Sequence, residues 1–378
     1  MRIVLTAGGT GGHIYPALAF ARALADRGHQ IYFIGSQVGL EKKILLEKQN
    51  EFIEFIQTDF LKISGVRRKG LKAWLKLPIK LFLAICSARK ILKKNKIALV
   101  IAFGGFASGP CGLAAKTLGI PLWLHEQNAI FGLTNKILSI FSDQIFLGFE
   151  IKKNKKIHWV GNPIRKEILA LGAAREKNFF LKKIDDTNEK NCLKILITGG
   201  SQGARIFNRI FPCIFKILSD QGLGECFFVK HQTGIEDLEK TKELYLAMDS
   251  KGQRYQTMAY LNPMAEAYAW ADLVICRAGA LTVCEVAAAG LPGVFIPSPY
   301  VVDDHQRKNA ENLVSAGGGY LINQKDLSEE ILITQLVKLL EKFAQPDQKN
   351  ILQQQGYSAY QWVKKDAVET MLSFLSGI

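Results

Sequence analysis

Ile3-Val4-Leu5-Thr6-Ala7-Gly8-Gly9-Thr10-Gly11-Gly12-His13-Ile14 is a short apolar run that opens into a turn with four glycines. The run suits a buried strand, and Ile14, Leu18, Ala21 and Leu24 follow at helical spacing. Gly28 stands where a helix C-cap belongs, and Gln30 to Ile34 resumes as a strand. Strand–loop–helix–strand units of this kind build parallel sheets. The glycines allow a sharp turn and close backbone approach to a ligand, and the loop ends at a helix N-terminus, where an anion is favoured. His13 is the one side chain in the loop that moves a proton near neutral pH. A turn without a ligand is the plainer reading, but four glycines with a threonine and a histidine exceed what turning requires.

The loop excludes two familiar nucleotide motifs. Counting Gly-x-Gly-x-x-Gly from Gly9 puts Ile14 at the last position, and the second strand ends Ile34-Gly35-Ser36 without the acidic residue a dinucleotide ribose wants. No Gly-Lys-Ser/Thr of a Walker loop is present.

A chain of 378 residues suits two domains, and a hydrophobic content of 48% is that of a globular protein. The seven cysteines show no paired spacing and the start Met1-Arg2-Ile3 is not a signal peptide, so they read as reduced, mostly buried thiols of a cytoplasmic protein. The longest uncharged run, Ile97 to Ala115, contains Gly104, Gly105, Gly109, Pro110 and Gly112, which makes it strand, glycine loop and helix start rather than a membrane span. The net charge of +15 implies an anionic partner. It concentrates between Phe60 and Lys96, where twelve Lys or Arg occur with no Asp or Glu.

Along the chain, strands are expected near 31–34, 52–56, 98–103, 121–125, 143–147 and 157–160, with helices between them. Gly161-Asn162-Pro163-Ile164-Arg165 breaks the pattern, and the charged, weakly periodic residues 171–191 suit a linker. Leu193 to Ile197 then opens a second strand that runs into Thr198-Gly199-Gly200-Ser201-Gln202-Gly203-Ala204, a loose repeat of the first loop. Further strands are expected near 226–230, 255–258, 272–276, 293–296 and 319–322, and a last amphipathic helix from about Ile351. Two such halves, each with a glycine loop at the carboxyl ends of its strands, would form a ligand cleft between them.

The densest motif is Cys276-Arg277-Ala278-Gly279-Ala280-Leu281-Thr282-Val283-Cys284-Glu285-Val286-Ala287-Ala288-Ala289-Gly290-Leu291-Pro292. It reads as a buried strand, a small-residue turn and a short helix stopped by Gly290 and Pro292. A phosphate above that helix N-terminus gains roughly 0.3–2 kcal/mol from the dipole. Thr282 offers a hydroxyl there, and Glu285, one turn in, suits a diol such as ribose, unless it is merely a solvated carboxylate.

Five motifs now stand in order. They are the Gly-Gly-Thr-Gly-Gly-His loop, His125-Glu126-Gln127-Asn128, Gly161-Asn162-Pro163-Ile164-Arg165, Gly199-Gly200-Ser201-Gln202-Gly203-Ala204-Arg205 and Arg277-Ala278-Gly279-Ala280-Leu281-Thr282. Together, from residue 2 to about residue 315, they resemble the MurG family of UDP-N-acetylglucosamine–lipid I N-acetylglucosaminyltransferases.

The resemblance implies an α/β fold of GT-B architecture, two Rossmann-like domains with parallel sheets facing each other across a cleft. It implies residues 1–162 as the acceptor and membrane side, 163–345 as the nucleotide-sugar side, and 346–378 as a C-terminal helix packing back on the N-terminal domain. It further implies an inverting transfer from UDP-N-acetylglucosamine to lipid I that gives a β-1,4 product, with no cofactor. Matched position by position, Thr10, Gly11 and Gly12 fall on the loop that closes over the donor, and Asn128, Arg165 and Ser201 on donor-binding positions. Leu261 falls beside the uracil. Ala280, Leu281, Thr282, Val283, Cys284 and Glu285 fall on the segment that holds diphosphate, ribose and sugar, with Glu285 on the ribose. Gln306, in Asp304-His305-Gln306-x-x-Asn309, falls on the sugar hydroxyls. Cys284 stands where relatives often have serine, and Ser298-Pro299-Tyr300-Val301-Val302 matches nothing in the family.

The residues themselves fit that chemistry. Helix N-termini and Arg165 stabilise the charge on a departing diphosphate, and no Asp-x-Asp motif is present to hold a divalent ion, which leaves the metal ligands at none. The acceptor hydroxyl loses a proton as it attacks, and a base near pKa 7 is worth typically 10²–10⁴-fold. His13 is the best-placed candidate, a substrate-positioning role being its alternative. Glu126 is the rival base or a structural carboxylate, and His125, after Trp123 and Leu124, reads as a hydrogen-bonded core histidine.

At about 100° per residue, Leu71, Trp74, Leu75, Pro78 and Phe82 share a helix face, and Lys69, Lys72, Lys76 and Lys80 line the next. That is the pattern of an interfacial helix, or of a core helix with a solvated rim interrupted by Pro78. A lipid-linked acceptor favours the first, which places the protein peripherally on an anionic membrane, at its cytoplasmic face. Nucleic acid is not an expected partner, because the basic stretch lacks interleaved aromatics beyond Trp74 and Phe82 and would leave the glycine loops idle. A non-hydrolysing UDP-sugar 2-epimerase shares the architecture but needs an acid/base set of its own.

Overall fold

The computed structural model describes residues 1–9, 11–46, 55–63, 77–151, 155–181, 192–200, 203–301 and 304–377. It divides into two units, Met1–Ile164 with Lys364–Ile378, and Arg165–Val363.

Unit 1 contains β1 (Arg2–Ala7), α1 (Gly11–Asp26), β2 (Gln30–Ser36), α2 (Leu40–Leu46), β3 (Ile56–Leu61), α3 (Leu77–Lys94), β4 (Leu99–Gly104), α4 (Ser108–Thr117), β5 (Leu122–Glu126), α5 (Leu133–Phe141), β6 (Gln144–Leu147) and β7 (Ile157–Trp159). The strands form one parallel sheet in the order β3-β2-β1-β4-β5-β6-β7. Both faces are covered, so the central strands β1 and β4 are largely apolar rather than alternating with polar residues. Ile3, Leu5, Ile31, Phe33, Leu99 and Ile101 pack with Ile14, Leu18, Ala21 and Leu24 of α1. Val4, Tyr32, Ile34, Val100 and Ala102 pack on the other face with Ala84, Ala88 and Leu92 of α3. The chain leaves β1 toward β2 on one side and returns at β4 on the other, which makes the carboxyl ends of β1 and β4 a topological switch point.

Unit 2 contains α6 (Lys166–Leu181), β8 (Leu193–Thr198), α7 (Arg205–Asp220), β9 (Phe227–Gln232), α8 (Leu238–Leu246), β10 (Tyr255–Met258), α9 (Met264–Trp270), β11 (Leu273–Cys276), α10 (Ala280–Ala288), β12 (Gly293–Phe295), α11 (His305–Ser315), β13 (Gly319–Leu321), α12 (Glu329–Phe343) and α13 (Gln348–Trp362). Its parallel sheet runs β10-β9-β8-β11-β12-β13, with the switch point between β8 and β11. Phe207, Phe211 and Phe215 of α7 are fully buried against Ile195, Ile197 and Val229; truncating one such phenylalanine to alanine costs about 3–5 kcal/mol.

Four expectations are revised. Residues 52–54 of the strand expected at 52–56 lie outside the described residues, and the strand observed is β3, Ile56–Leu61, on the edge of its sheet, where Gln57 stays exposed and an apolar run is not required. Of the linker expected at 171–191, residues 182–191 lie outside the described residues, and the stretch 171–181 is the end of α6. Its weak periodicity has a cause, because Gly172 brings the helix so close that a Cβ would lie 1.8 Å from the Ala288 carbonyl oxygen. Arg175 then anchors it by donating to the carbonyls of Ala289, Tyr268, Ala269 and Ala271. The tail beyond residue 346 divides between the units, since α13 packs on α6 and α10 of unit 2. Only α14 (Ala367–Ser373) and its neighbours belong to unit 1, where Met371 and Leu372 enter the core and Phe374 meets Trp123 and Phe146. Of the free cysteines, Cys111, Cys276 and Cys284 are buried, Cys86, Cys192 and Cys226 half-buried, and Cys213 exposed.

Candidate functional site

In unit 1 the candidate residues gather at the carboxyl ends of β1, β4 and β5. Gly9 has φ +94°, which a side chain would strain. A Cβ on Gly105 would lie 1.9 Å from the Gly8 oxygen, so the two glycine loops meet backbone to backbone, and Gly8 N–H donates to the Gly104 carbonyl at 3.1 Å. Gly11, Gly12 and His13 form the first turn of α1. Thr10 lies outside the described residues. Beneath the loop sits Glu41, fully buried, accepting from Ser36 N–H at 2.8 Å and Gly9 N–H at 3.2 Å. Ser108, also buried, donates to the carbonyls of Thr6 and Gly104. Neither residue is signalled by the sequence, because their partners are backbone groups distant in the chain.

His13 is half-buried, and its Nδ1 lies 2.8 Å from Gln127 Oε1. Its Nε2 makes no hydrogen bond among the described residues. Gln127 Nε2 lies 3.0 Å from His125 Nδ1, and His125 Nε2 lies 3.0 Å from the Gly161 oxygen. His125 is the core histidine expected, fully buried, and burial pulls its pKa down to about 4.

Glu126 is also fully buried, and each of its oxygens takes two donors. Oε1 accepts from the backbone and side-chain nitrogens of Asn128 at 2.9 and 3.1 Å, and Oε2 from Gly132 N–H at 3.0 Å and Asn135 Nδ2 at 2.9 Å. A carboxylate engaged in this way shapes the 128–132 loop. Asn128 is thereby fixed at the end of β5.

In unit 2 the corresponding positions are the carboxyl ends of β8 and β11. Gly200 has φ +92°, and a Cβ on Gly203 would lie 2.0 Å from the Thr233 oxygen. Ser201 lies outside the described residues. β11 ends at Cys276, Gly279 is extended at φ −60° and ψ 143°, and α10 starts at Ala280 with no side chain capping it. Ala280, Leu281 and Thr282 thus present the first amides of α10, while Val283 N–H is already bound to Gly279 O. The side chains of Val283 and Cys284 are buried in the unit and do not reach its surface. Asn309 of α11 donates to Ala278 O at 3.2 Å and fixes the turn before α10. Gln306, on the first turn of α11, accepts from Ser298 N–H at 2.8 Å. Leu261, half-buried, lies in the loop between β10 and α9.

Glu285 is 5% exposed rather than solvated, and Arg165 meets it, Nε and Nη2 lying 3.0 and 2.9 Å from Oε1. Burial raises the Glu285 pKa, and the guanidinium works against that rise. The structure therefore brings together two residues that lie 120 positions apart.

Two doubly wound units, each with a glycine loop at its switch point, define a protein of the GT-B class. Residues 3–147 match the glycosyltransferase family 28 N-terminal domain and residues 194–365 the glycosyltransferase family 28 C-terminal domain. A protein of Francisella tularensis subsp. tularensis (strain FSC 198) is 42% identical, over 96% of this chain and 97% of its own. It is named UDP-N-acetylglucosamine–N-acetylmuramyl-(pentapeptide) pyrophosphoryl-undecaprenol N-acetylglucosamine transferase. The crystal structure of Acinetobacter baumannii MurG superposes with a TM-score of 0.77 at 32% identity, covering 100% of this chain and 99% of that one. The chain belongs to glycosyltransferase family 28 and, within it, to the MurG family. A UDP-GlcNAc 2-epimerase from Neisseria meningitidis bound to UDP-GlcNAc, with a TM-score of 0.64 at 15% identity and full coverage of both chains, shares the fold alone.

Proposed function

We propose that this chain moves N-acetylglucosamine from UDP-N-acetylglucosamine to the C4 hydroxyl of the N-acetylmuramic acid in lipid I, with inversion, giving lipid II for peptidoglycan synthesis. The reading rests on family membership, and the geometric observation that carries it is the uncapped start of α10 in unit 2, with the Arg165–Glu285 pair one turn in. That is a cradle for a nucleoside diphosphate. Amides of Ala280, Leu281 and Thr282 and the Arg165 guanidinium take the phosphate charge, and Glu285 accepts from the ribose hydroxyls. The acceptor oxygen attacks the anomeric carbon from the face opposite the diphosphate. The carbon–oxygen bond to phosphate breaks with its electron pair leaving on UDP, and the acceptor proton passes to His13 Nε2. Asn128, Gln306, Leu261, Ser201 and the Thr10–Gly12 loop are donor contacts in this reading.

The test is product analysis with His13→Ala as control. We expect UDP release only with lipid-linked acceptor present, a β-1,4 linkage by NMR, and turnover of His13→Ala lowered 10²-fold or more with UDP affinity held. Epimerised donor formed without acceptor would replace this reading by that of an epimerase, and normal turnover of His13→Ala would remove the base.

We also infer a peripheral seat for unit 1 on the cytoplasmic face of an anionic membrane. Residues 69–76 of the basic stretch, with Lys69, Leu71, Lys72, Trp74, Leu75 and Lys76, lie outside the described residues. What supports the inference is α3, on which Ile79, Phe82 and Leu83 are 65, 66 and 61% exposed, with Lys80 and Lys90 among them. On α5, which the sequence does not mark, Leu133, Ile137 and Ile140 are exposed, and both helices pack on α4. Pro78 lies in the first turn of α3, where it is tolerated, rather than breaking it. Among the described residues no helix is long and apolar enough to cross a membrane.

A further inference from the structure

His13 has two ring nitrogens, and only a neutral ring whose proton is on Nδ1 offers Nε2 as a base. Which nitrogen carries the proton follows from the groups behind it. The Gly161 carbonyl can only accept, so His125 Nε2, 3.0 Å away, carries the proton of that ring. The His125 ring is fully buried and neutral, so its Nδ1 is left as an acceptor. Gln127 faces that Nδ1 at 3.0 Å and the His125 carbonyl oxygen at 3.1 Å with the same atom. Two acceptors at one end of the amide require its NH₂ group there. The opposite end, 2.8 Å from His13 Nδ1, is then the amide oxygen, and His13 Nδ1 has to donate to it.

Gln127 is 1% exposed, and Asn162 Nδ2 donates to its backbone oxygen at 3.0 Å, so the amide is held at both ends and along its backbone. His13 Cε1 lies 3.2 Å from where a Cβ on Gly104 would stand, which fits the ring against the β4 turn.

We propose that Gln127 is a positioning residue that, with His125, fixes His13 in the Nδ1–H tautomer and so keeps Nε2 unprotonated toward the acceptor. The proposal rests on the reading of His13 as the base. The direction of the relay is set at the Gly161 carbonyl, and each member passes the constraint to the next. A base in the other tautomer turns an N–H toward the hydroxyl it should deprotonate. A wrong tautomer costs about 10⁴-fold in the Ser-His-Asp triad, where a carboxylate has the same task.

The experiment is long-range ¹H–¹⁵N correlation on full-length protein labelled at histidine, with His13 assigned by its absence in His13→Ala. We expect the wild-type neutral ring to show Nδ1 protonated and Nε2 bare. In Gln127→Met, which keeps the length without the amide, the His13 tautomers should mix, and kcat should fall about tenfold or more with the KM for UDP-N-acetylglucosamine within about twofold. A wild-type ring protonated on Nε2 overturns the proposal with no variant needed, and so does a Gln127→Met protein that keeps both tautomer and kcat. If His13→Ala is inactive while the wild-type tautomer is the wrong one, the base stands and the relay falls. If His13→Ala turns over normally, the base falls and the relay has no catalytic role.

Discussion

Arg165 Nε and Nη2 both converge on one oxygen of Glu285, at 3.0 and 2.9 Å, and make no hydrogen bond to the other. A two-by-two fork would use both carboxylate oxygens. The convergent arrangement orients the carboxylate, with the buried Tyr268 hydroxyl as its second neighbour, and the proposed ribose role of Glu285 is open to a direct test. Glu285→Gln should weaken UDP binding by roughly 10–100-fold, the range of a hydrogen bond to a charged group, with the far-ultraviolet circular dichroism unchanged. Calorimetry reads the affinity, and a variant that binds UDP as tightly as wild type would sink the ribose role of Glu285.

Glu126 makes a separate prediction, because its four donors define it as a loop-shaping group. Glu126→Gln replaces one oxygen by an NH₂ that faces two donors, whichever way it turns. Stability should fall by about 1–3 kcal/mol, the cost of buried donors left without an acceptor. The residual turnover should keep the wild-type pH profile, on the proposal that His13 is the base. Loss of the acid limb of that profile in Glu126→Gln would make Glu126 the base instead.

The apolar runs that became β1, β2, β4, β5 and β6 are legible because both sheet faces are covered, and Ile14, Leu18, Ala21 and Leu24 because one helix stripe carries the whole contact. β3 is less legible as an edge strand. α6 is not, since Gly172 and Arg175 hold it through backbone groups that no periodicity records. The same division runs through the candidate site. His13, Glu285 and Arg165 announce themselves by residue type beside glycine turns, but the pairing of Arg165 with Glu285 does not. Glu41 carries no signal, because its task is to accept from Gly9 and Ser36 amides brought near by the fold. Gln127 stands inside a quoted motif, yet the role proposed for it appears only when the acceptors at one end of its amide and the histidine at the other are known.

Two buried histidines predict acid lability. Burial lowers His125 to about 4 and His231 to about 3, from 6.5 in the unfolded chain. Above pH 6.5 both are neutral in either state and contribute no pH dependence. As pH falls below 6.5 the unfolded chain takes up protons that the folded chain refuses, so stability drops until pH 4 for His125 and pH 3 for His231. Each histidine contributes up to about 1.4 kcal/mol per pH unit within its window. Urea unfolding at pH 7 and pH 5 should therefore show a loss in wild type that is smaller by about 2 kcal/mol in His231→Leu. An equal loss in both proteins would mean that His231 is protonated in the fold.

The membrane inference predicts two separable terms. Ile79, Phe82 and Leu83 stand more than half exposed on α3, and each is worth up to roughly 1.5–3 kcal/mol if fully buried, less on partial insertion. Lys80 and Lys90 add roughly 1 kcal/mol each near an anionic surface, an attraction that salt screens over about 10 Å at 0.1 M. Flotation with liposomes should require anionic lipid and weaken as salt rises. Phe82→Ser with Leu83→Ser should weaken binding at every salt concentration, because the insertion term is not screened. Lys80→Glu with Lys90→Glu should weaken it chiefly at low salt, because only the Coulomb term has changed. Equal flotation of both variants and wild type would move the membrane contact off α3, and α5, with Leu133, Ile137 and Ile140 exposed, is then the next face to test.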